Sequence, residues 1–118
     1  MNQNLNMGCR ELSLAETIQH LGGRGLHGAL AYTGTRKLEH SDTEVRLYVN
    51  GKPGWCYVIS VTVNAGDLYD VALWGLRGRV RRVLGGRDDL YFDELQQAVE
   101  EVYDQVMRET NSGYIPLR

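Results

Sequence analysis

The chain has 118 residues, of which 42% are hydrophobic and 24% charged, which fits one globular domain and excludes wholesale disorder. No run approaches 18 apolar residues, and the opening MNQNLNMGCRELSL lacks the basic and apolar regions of a signal peptide, so neither a membrane span nor a secretion signal is expected. Cys9 and Cys56 stand far apart with no CxxC, which excludes a disulfide scaffold and a four-cysteine zinc site and points to a cytoplasmic protein. The net charge of −2 argues against a generic polyanion binder.

Residues 1–11 are polar. Ser13 with Glu16 three positions on makes a capping box, and Leu14, Ile18 and Leu21 follow at helical spacing before Gly22-Gly23 ends the helix, which predicts a helix over 13–21. LHGALAYT (26–33) reads as a short strand weakened by Gly28, and 34–43 as a polar loop. Residues 44–49 alternate, with Val45, Leu47 and Val49 on one face. The turn formers Asn50 to Gly54 precede a second alternating strand over 55–63. Its inward residues are Trp55, Tyr57, Ile59, Val61 and Val63, and its outward ones Cys56, Ser60 and Thr62. Asn64-Ala65-Gly66-Asp67 reads as another turn, and 68–74 as the next strand, with Tyr69, Val71 and Leu73 in phase. Residues 78–84 fit either a fifth, edge strand or a basic loop.

Asp88 or Asp89 is expected to cap a final helix over about 91–109. There Leu95, Ala98, Val99, Val102 and Val106 form an apolar stripe, while Asp93, Glu94, Glu100, Glu101 and Asp104 face water on the opposite arc. The tail from Asn111 has no period. The fold class is therefore α+β: a four- or five-stranded antiparallel meander packed by a C-terminal amphipathic helix, with a short N-terminal helix. One domain is expected over 1–118, with an ordered core over about 12–109 and flexible extensions at both ends.

Charge is distributed as a dipole. Residues 77–87 hold five arginines (Arg77, Arg79, Arg81, Arg82, Arg87) and no acid, while 88–107 hold seven acids and no base. The two blocks either neutralise each other or present two charged surfaces.

No catalytic constellation is legible. His20, His27 and His40 show no metal-ligand spacing, no serine sits in GxSxG, and Cys9 and Cys56 lie in a polar tail and inside a strand. The glycines of GGRGLHG (22–28) follow a helix rather than a strand, so capping explains them better than phosphate binding. No metal, cofactor or enzymatic activity is expected.

With the strands placed, the series LGG (21–23), YTGTRK (32–37), Tyr57 on a strand ending in Asn64, DLYDV (67–71), LRG (76–78) and LYFDELQQAVEEV (90–102) resembles a widespread family of small uncharacterised proteins encoded by bacteriophages, prophages and plasmids. The resemblance spans about 17–106, and the chain departs from it in extra arginines after Leu76 and longer ends. It implies a mobile-element accessory protein working inside a bacterial host, and it brings no established activity or catalytic residue. The expected function is non-catalytic binding of a host protein or defence complex, in the manner of an inhibitor of CRISPR effectors, through the acids Asp93, Glu94, Glu100, Glu101 and Asp104. The alternative is an accessory protein that binds nucleic acid through Arg77, Arg79, Arg81, Arg82 and Arg87.

Overall fold

The computed structural model describes residues 11–23 and 28–110. Strands β1 (Lys37–His40), β2 (Glu44–Asn50), β3 (Cys56–Val63), β4 (Tyr69–Arg77) and β5 (Val80–Leu90) form one open antiparallel sheet in sequence order. This α+β meander is the expected one, because short loops can join only antiparallel neighbours. Val45 pairs with Val61, Leu47 with Ile59, and Ile59 with Leu73, so one face gathers the apolar side chains in rows. The expected inward set of Val45, Leu47, Val49, Tyr57, Ile59, Val61, Val71, Leu73, Leu95, Val99, Val102 and Val106 is buried throughout, none more than 3% exposed.

Helix α1 (Leu14–His20) begins at Ser13, whose hydroxyl accepts the Glu16 N–H, as expected of an N-cap. It ends where Gly22 N–H donates to the Gln19 carbonyl and Gly23 N–H to the Ile18 carbonyl, with both glycines at positive φ. A Cβ on Gly22 would lie 2.5 Å from the Gly28 Cα, so these glycines also permit a close chain crossing. Arg24 to His27 lie outside the described residues.

Two expectations are corrected in this region. The stretch read as a strand over 26–33 contains instead a one-turn helix, α2 (Ala29–Tyr32), behind Gly28. Ala29 and Leu30 are good helix formers, and three or four alternating residues cannot separate the two periods. The missing strand is β1, inside the segment read as a polar loop. Its Lys37, Leu38, Glu39 and His40 pair with Tyr48, Leu47, Arg46 and Val45. It has one apolar residue and gains its conformation from β2, which is how an edge strand escapes a propensity reading.

The 78–84 ambiguity resolves as β5, an edge strand of 11 residues. A two-residue turn, Gly78-Arg79, joins it to β4. Gly78 at φ 59° stands first in the turn, where a type II′ geometry requires glycine. The pairing with β4 shifts by one residue between Leu73 and Trp74 and again between Tyr69 and Val71. Each shift inserts an extra residue into β5 and bends it, as bulges do at sheet edges. At the second, Asp89 takes φ 57° and its N–H donates to Asp70, while the Asn64 amide donates to both Asp70 and Asp89. The Asn64 side-chain oxygen Oδ1 accepts from Gly66 and Leu68 N–H. The Asn64 to Asp70 string is thus a structural clasp between hairpin and bulge.

Because Asp88 and Asp89 lie in β5, neither caps the final helix. A 3₁₀ turn (Phe92–Glu94) leads into α3 (Leu95–Thr110). The Tyr91 N–H donates to the Glu94 carboxylate at 2.8 Å, and the Glu94 N–H returns to the Tyr91 carbonyl. Helix α3 packs tightly over Gly85, where an added Cβ would meet Val106 Cγ2 at 2.9 Å. Gly85→Ala is therefore expected to cost about 1–3 kcal/mol by overpacking. Thermal melting of the variant checks this, and an unchanged midpoint would mean that the helix stands further off the sheet.

Candidate nucleic-acid interface

The acids read as one solvated helix face are not one. Glu100 is 4% exposed and Asp104 9%. Gln96 donates to Glu100 at 3.2 Å, and the Tyr32 hydroxyl of α2 donates to the Asp104 carboxylate at 2.7 and 2.9 Å to its two oxygens. Glu94 is engaged in the turn before α3, and Glu101 pairs with Arg87 at 2.7 Å and accepts from Gln97. Of the five, only Asp93 is exposed without a hydrogen bond or ion pair among the described residues. The physical reason is that α3 has two partners. Its buried positions cover about 240° of the helix at 100° per residue, because the sheet takes one side and α2 packs on another, where Tyr32 meets Asp104.

The arginines also divide. Arg87 belongs to the ion pair with Glu101, both side chains roughly half exposed, so the mutual neutralisation of the two blocks comes down to one surface pair, worth about 0–1 kcal/mol. The other four sit around the β4–β5 turn. That end is also where β2 meets β3, since Asn50 pairs with Cys56, Cys56 with Leu76, and Leu76 with Arg81. The β2–β3 loop turns through Lys52-Pro53-Gly54-Trp55, closed by the Trp55 N–H on the Lys52 carbonyl at 3.0 Å, with Gly54 at φ 88°. Proline second and glycine third are the residues a type II turn selects.

This turn delivers Trp55 into the basic end. Lys52 Nζ lies 5.6 Å from its ring centroid, and the guanidinium carbons of Arg77 and Arg82 lie 5.9 and 6.0 Å away. Each such contact is worth about 0.5–1 kcal/mol at an exposed site. Arg79 lies in the turn itself, and Arg81, paired with Leu76, faces the opposite side of the sheet from Arg82; both are exposed and without a carboxylate partner among the described residues. Segments 50–57 and 71–87 contain six bases and no acid. Lys52 and Trp55 were not among the candidates from sequence, because Trp55 alternates in phase with the core and only the hairpin geometry shows it at the end of the sheet. Trp55 and Val63 do pack against the core, but both are only partly buried.

Among the described residues, no helix lies on the second sheet face. Tyr48, Val58 and Trp74 stand in one row across β2, β3 and β4, with Arg46, Ser60 and Ala72 in the next. Glu44 accepts from Ser60 and from Arg46 Nε, the latter at 2.9 Å. Tyr48 donates to Glu39 at 2.7 Å, and that bond, followed by the one from Lys37, holds the Glu39 carboxyl below its ordinary value.

The remaining candidates are dispersed. His20 Nδ1 lies 2.8 Å from the Tyr69 hydroxyl and its ring packs on Phe92, His40 is an exposed residue of β1, and Cys56 is a half-buried free thiol. Cys9 and His27 lie outside the described residues. Among those described, no group of three or more His, Cys, Asp or Glu could hold a metal ion, and no helix is long and apolar enough to cross a membrane. No family model matches the chain, and no curated protein or solved structure matches it.

Proposed function

We propose that the chain is a non-catalytic module that binds nucleic acid through the β2–β3 and β4–β5 turns, using Lys52, Arg77 and Arg82 around Trp55, with Arg79 and Arg81 at the same end of the sheet. The observation that carries this reading is the convergence of three cations on one indole ring with no acid in either contributing segment. Like charges repel at such spacing, and a polyanion relieves that repulsion. An arginine held near an aromatic face by a cation–π contact keeps the N–H groups of its fork for phosphate oxygens.

The net charge of −2 does not oppose this, because the Debye length at physiological salt is about 8 Å. Along β5, Asp88 lies seven residues from Arg81, about 23 Å in an extended strand, and its charge is largely screened there. A mobile-element accessory role inside a bacterial host rests on the sequence resemblance alone.

The test is fluorescence anisotropy with labelled oligonucleotides of about 20 residues over a range of salt. Binding is expected to weaken with a log–log slope of about −0.7 per single-strand phosphate neutralised. Trp55→Ala is expected to lower affinity about tenfold through loss of the aromatic support. Absence of binding at low salt would overturn the reading and return attention to a protein partner.

A further inference from the structure

The second sheet face holds a cleft of about 250 Å³ that reaches the arginine-bearing end of the sheet, since Arg81 lines its rim and Leu76, which pairs with Arg81, lies beside it. Its floor is Val58 and Ser60, only 5% and 9% exposed although no helix among the described residues covers them. Tall neighbours rise beside them. Tyr48 and Trp74 pair with Val58 from opposite sides, so their strands are two sheet spacings apart, about 9.6 Å. Strand side chains stand roughly perpendicular to the sheet, which makes the two rings walls on either side of a short floor. Tyr48 is held in place by its bond to Glu39 and by Lys37, whose Nζ lies 5.2 Å from the ring on the β1 side, so its other side is left to the cleft.

We infer that this cleft seats one unstacked base of a single-stranded nucleic acid whose backbone runs onto Arg81 and Arg79; the inference rests on the nucleic-acid reading above and deepens it. The cleft is smaller than the roughly 300–1,000 Å³ of a drug-sized pocket, which suits a single flat heterocycle. Its polar side offers acceptor beside donor. Glu44 is fixed by Ser60 and Arg46, yet each carboxylate oxygen keeps accepting capacity, and the Arg46 guanidinium retains N–H groups beyond the Nε bond. Base edges present the complementary mixture of donors and acceptors. Both bases of a duplex pair are already stacked and hydrogen-bonded and cannot enter, so the cleft selects single strands.

The experiment compares Trp74→Ala and Trp74→Phe with the unaltered chain, using a fluorescent single strand and its duplex at one salt concentration, with circular dichroism melts to establish folding. Trp74→Ala is expected to weaken single-strand binding about tenfold, within the range of one lost base stack. Trp74→Phe should stay within about threefold, and duplex binding should move less than about twofold in both. Should Trp74→Ala fail to fold, Tyr48→Ala on the opposite wall replaces it. Equal losses for single strand and duplex, or unchanged single-strand affinity in a folded Trp74→Ala chain that still binds through its arginines, would overturn the cleft assignment and leave the basic interface standing. Failure of the unaltered chain to bind any oligonucleotide would overturn both.

Discussion

Val99→Asp is expected to destabilise the protein by about 3–5 kcal/mol, the cost of an uncompensated buried charge. Val99 is 0% exposed and sits on the α3 stripe with Leu95, Val102 and Val106, in one buried cluster with the row that Leu47, Ile59 and Leu73 form across the sheet. An isolated carboxylate there has neither water nor a donor. Against a typical total of about 5–15 kcal/mol, this is enough to lower the melting midpoint by more than about 10 °C or to prevent folding. The sign with pH follows from the same burial. Burial raises the folded-state pKa of the introduced carboxyl, so the penalty is present above its unfolded value of about 3.9 and shrinks as pH falls toward it. Relative to the unaltered chain at each pH, the deficit should therefore narrow in acid. Gln105→Asp puts the same group on the exposed arc and should change stability by about 0.5 kcal/mol or less. Equal melting of Val99→Asp and the unaltered chain would refute the helix–sheet core.

What the sequence made legible follows period and partner number. The central strands β2, β3 and β4 and the apolar stripe of α3 were readable because each repeats its signal over several residues against one partner. Elements with little signal of their own were misread. Lys37-Leu38-Glu39-His40 is a strand because β2 pairs with it, and Ala29 to Tyr32 is a helix too short for a period to show. The acids of α3 were misjudged for a different reason. A helical wheel assumes one buried side, whereas α2 closes over a second side and takes Asp104 with Tyr32. The four arginines at the turn were visible as composition, but their assembly with Lys52 and Trp55 depends on two hairpins that end side by side, and no local pattern contains that. The cleft on the outer face was half visible. Alternation places Arg46, Tyr48, Ser60 and Trp74 on one side of the sheet, yet only the register shows that Tyr48 and Trp74 flank the same valine.

These placements decide the outcome of two charge exchanges. Replacing Glu94, Glu101 and Asp104 by lysine would change little but charge if all three stood in water, about 0.5 kcal/mol each. With Asp104 9% exposed and accepting from Tyr32, and Glu94 holding the Tyr91 N–H, the triple variant is expected to lose several kcal/mol through a buried unpaired ammonium and a lost cap. Its loss of any activity would therefore say nothing about a binding surface. Glu101→Lys alone is the informative change, because Glu101 is about half exposed and only its surface pair with Arg87 is given up. Nucleic-acid binding should persist in it. Arg79, Arg81 and Arg82 to alanine should leave the melting midpoint nearly unchanged, since Arg79 and Arg81 have no ion partner among the described residues and Arg82 gives up one exposed cation–aromatic contact. The same variant should lose three phosphate contacts, which flattens the single-strand salt slope by about 2 and weakens binding about 50-fold at 0.15 M salt from counterion release alone. Salt titration of the triple arginine variant beside Glu101→Lys separates the surfaces. If the arginine variant binds normally while folded Glu101→Lys has lost its partner, the working surface is the helix and the partner is a protein.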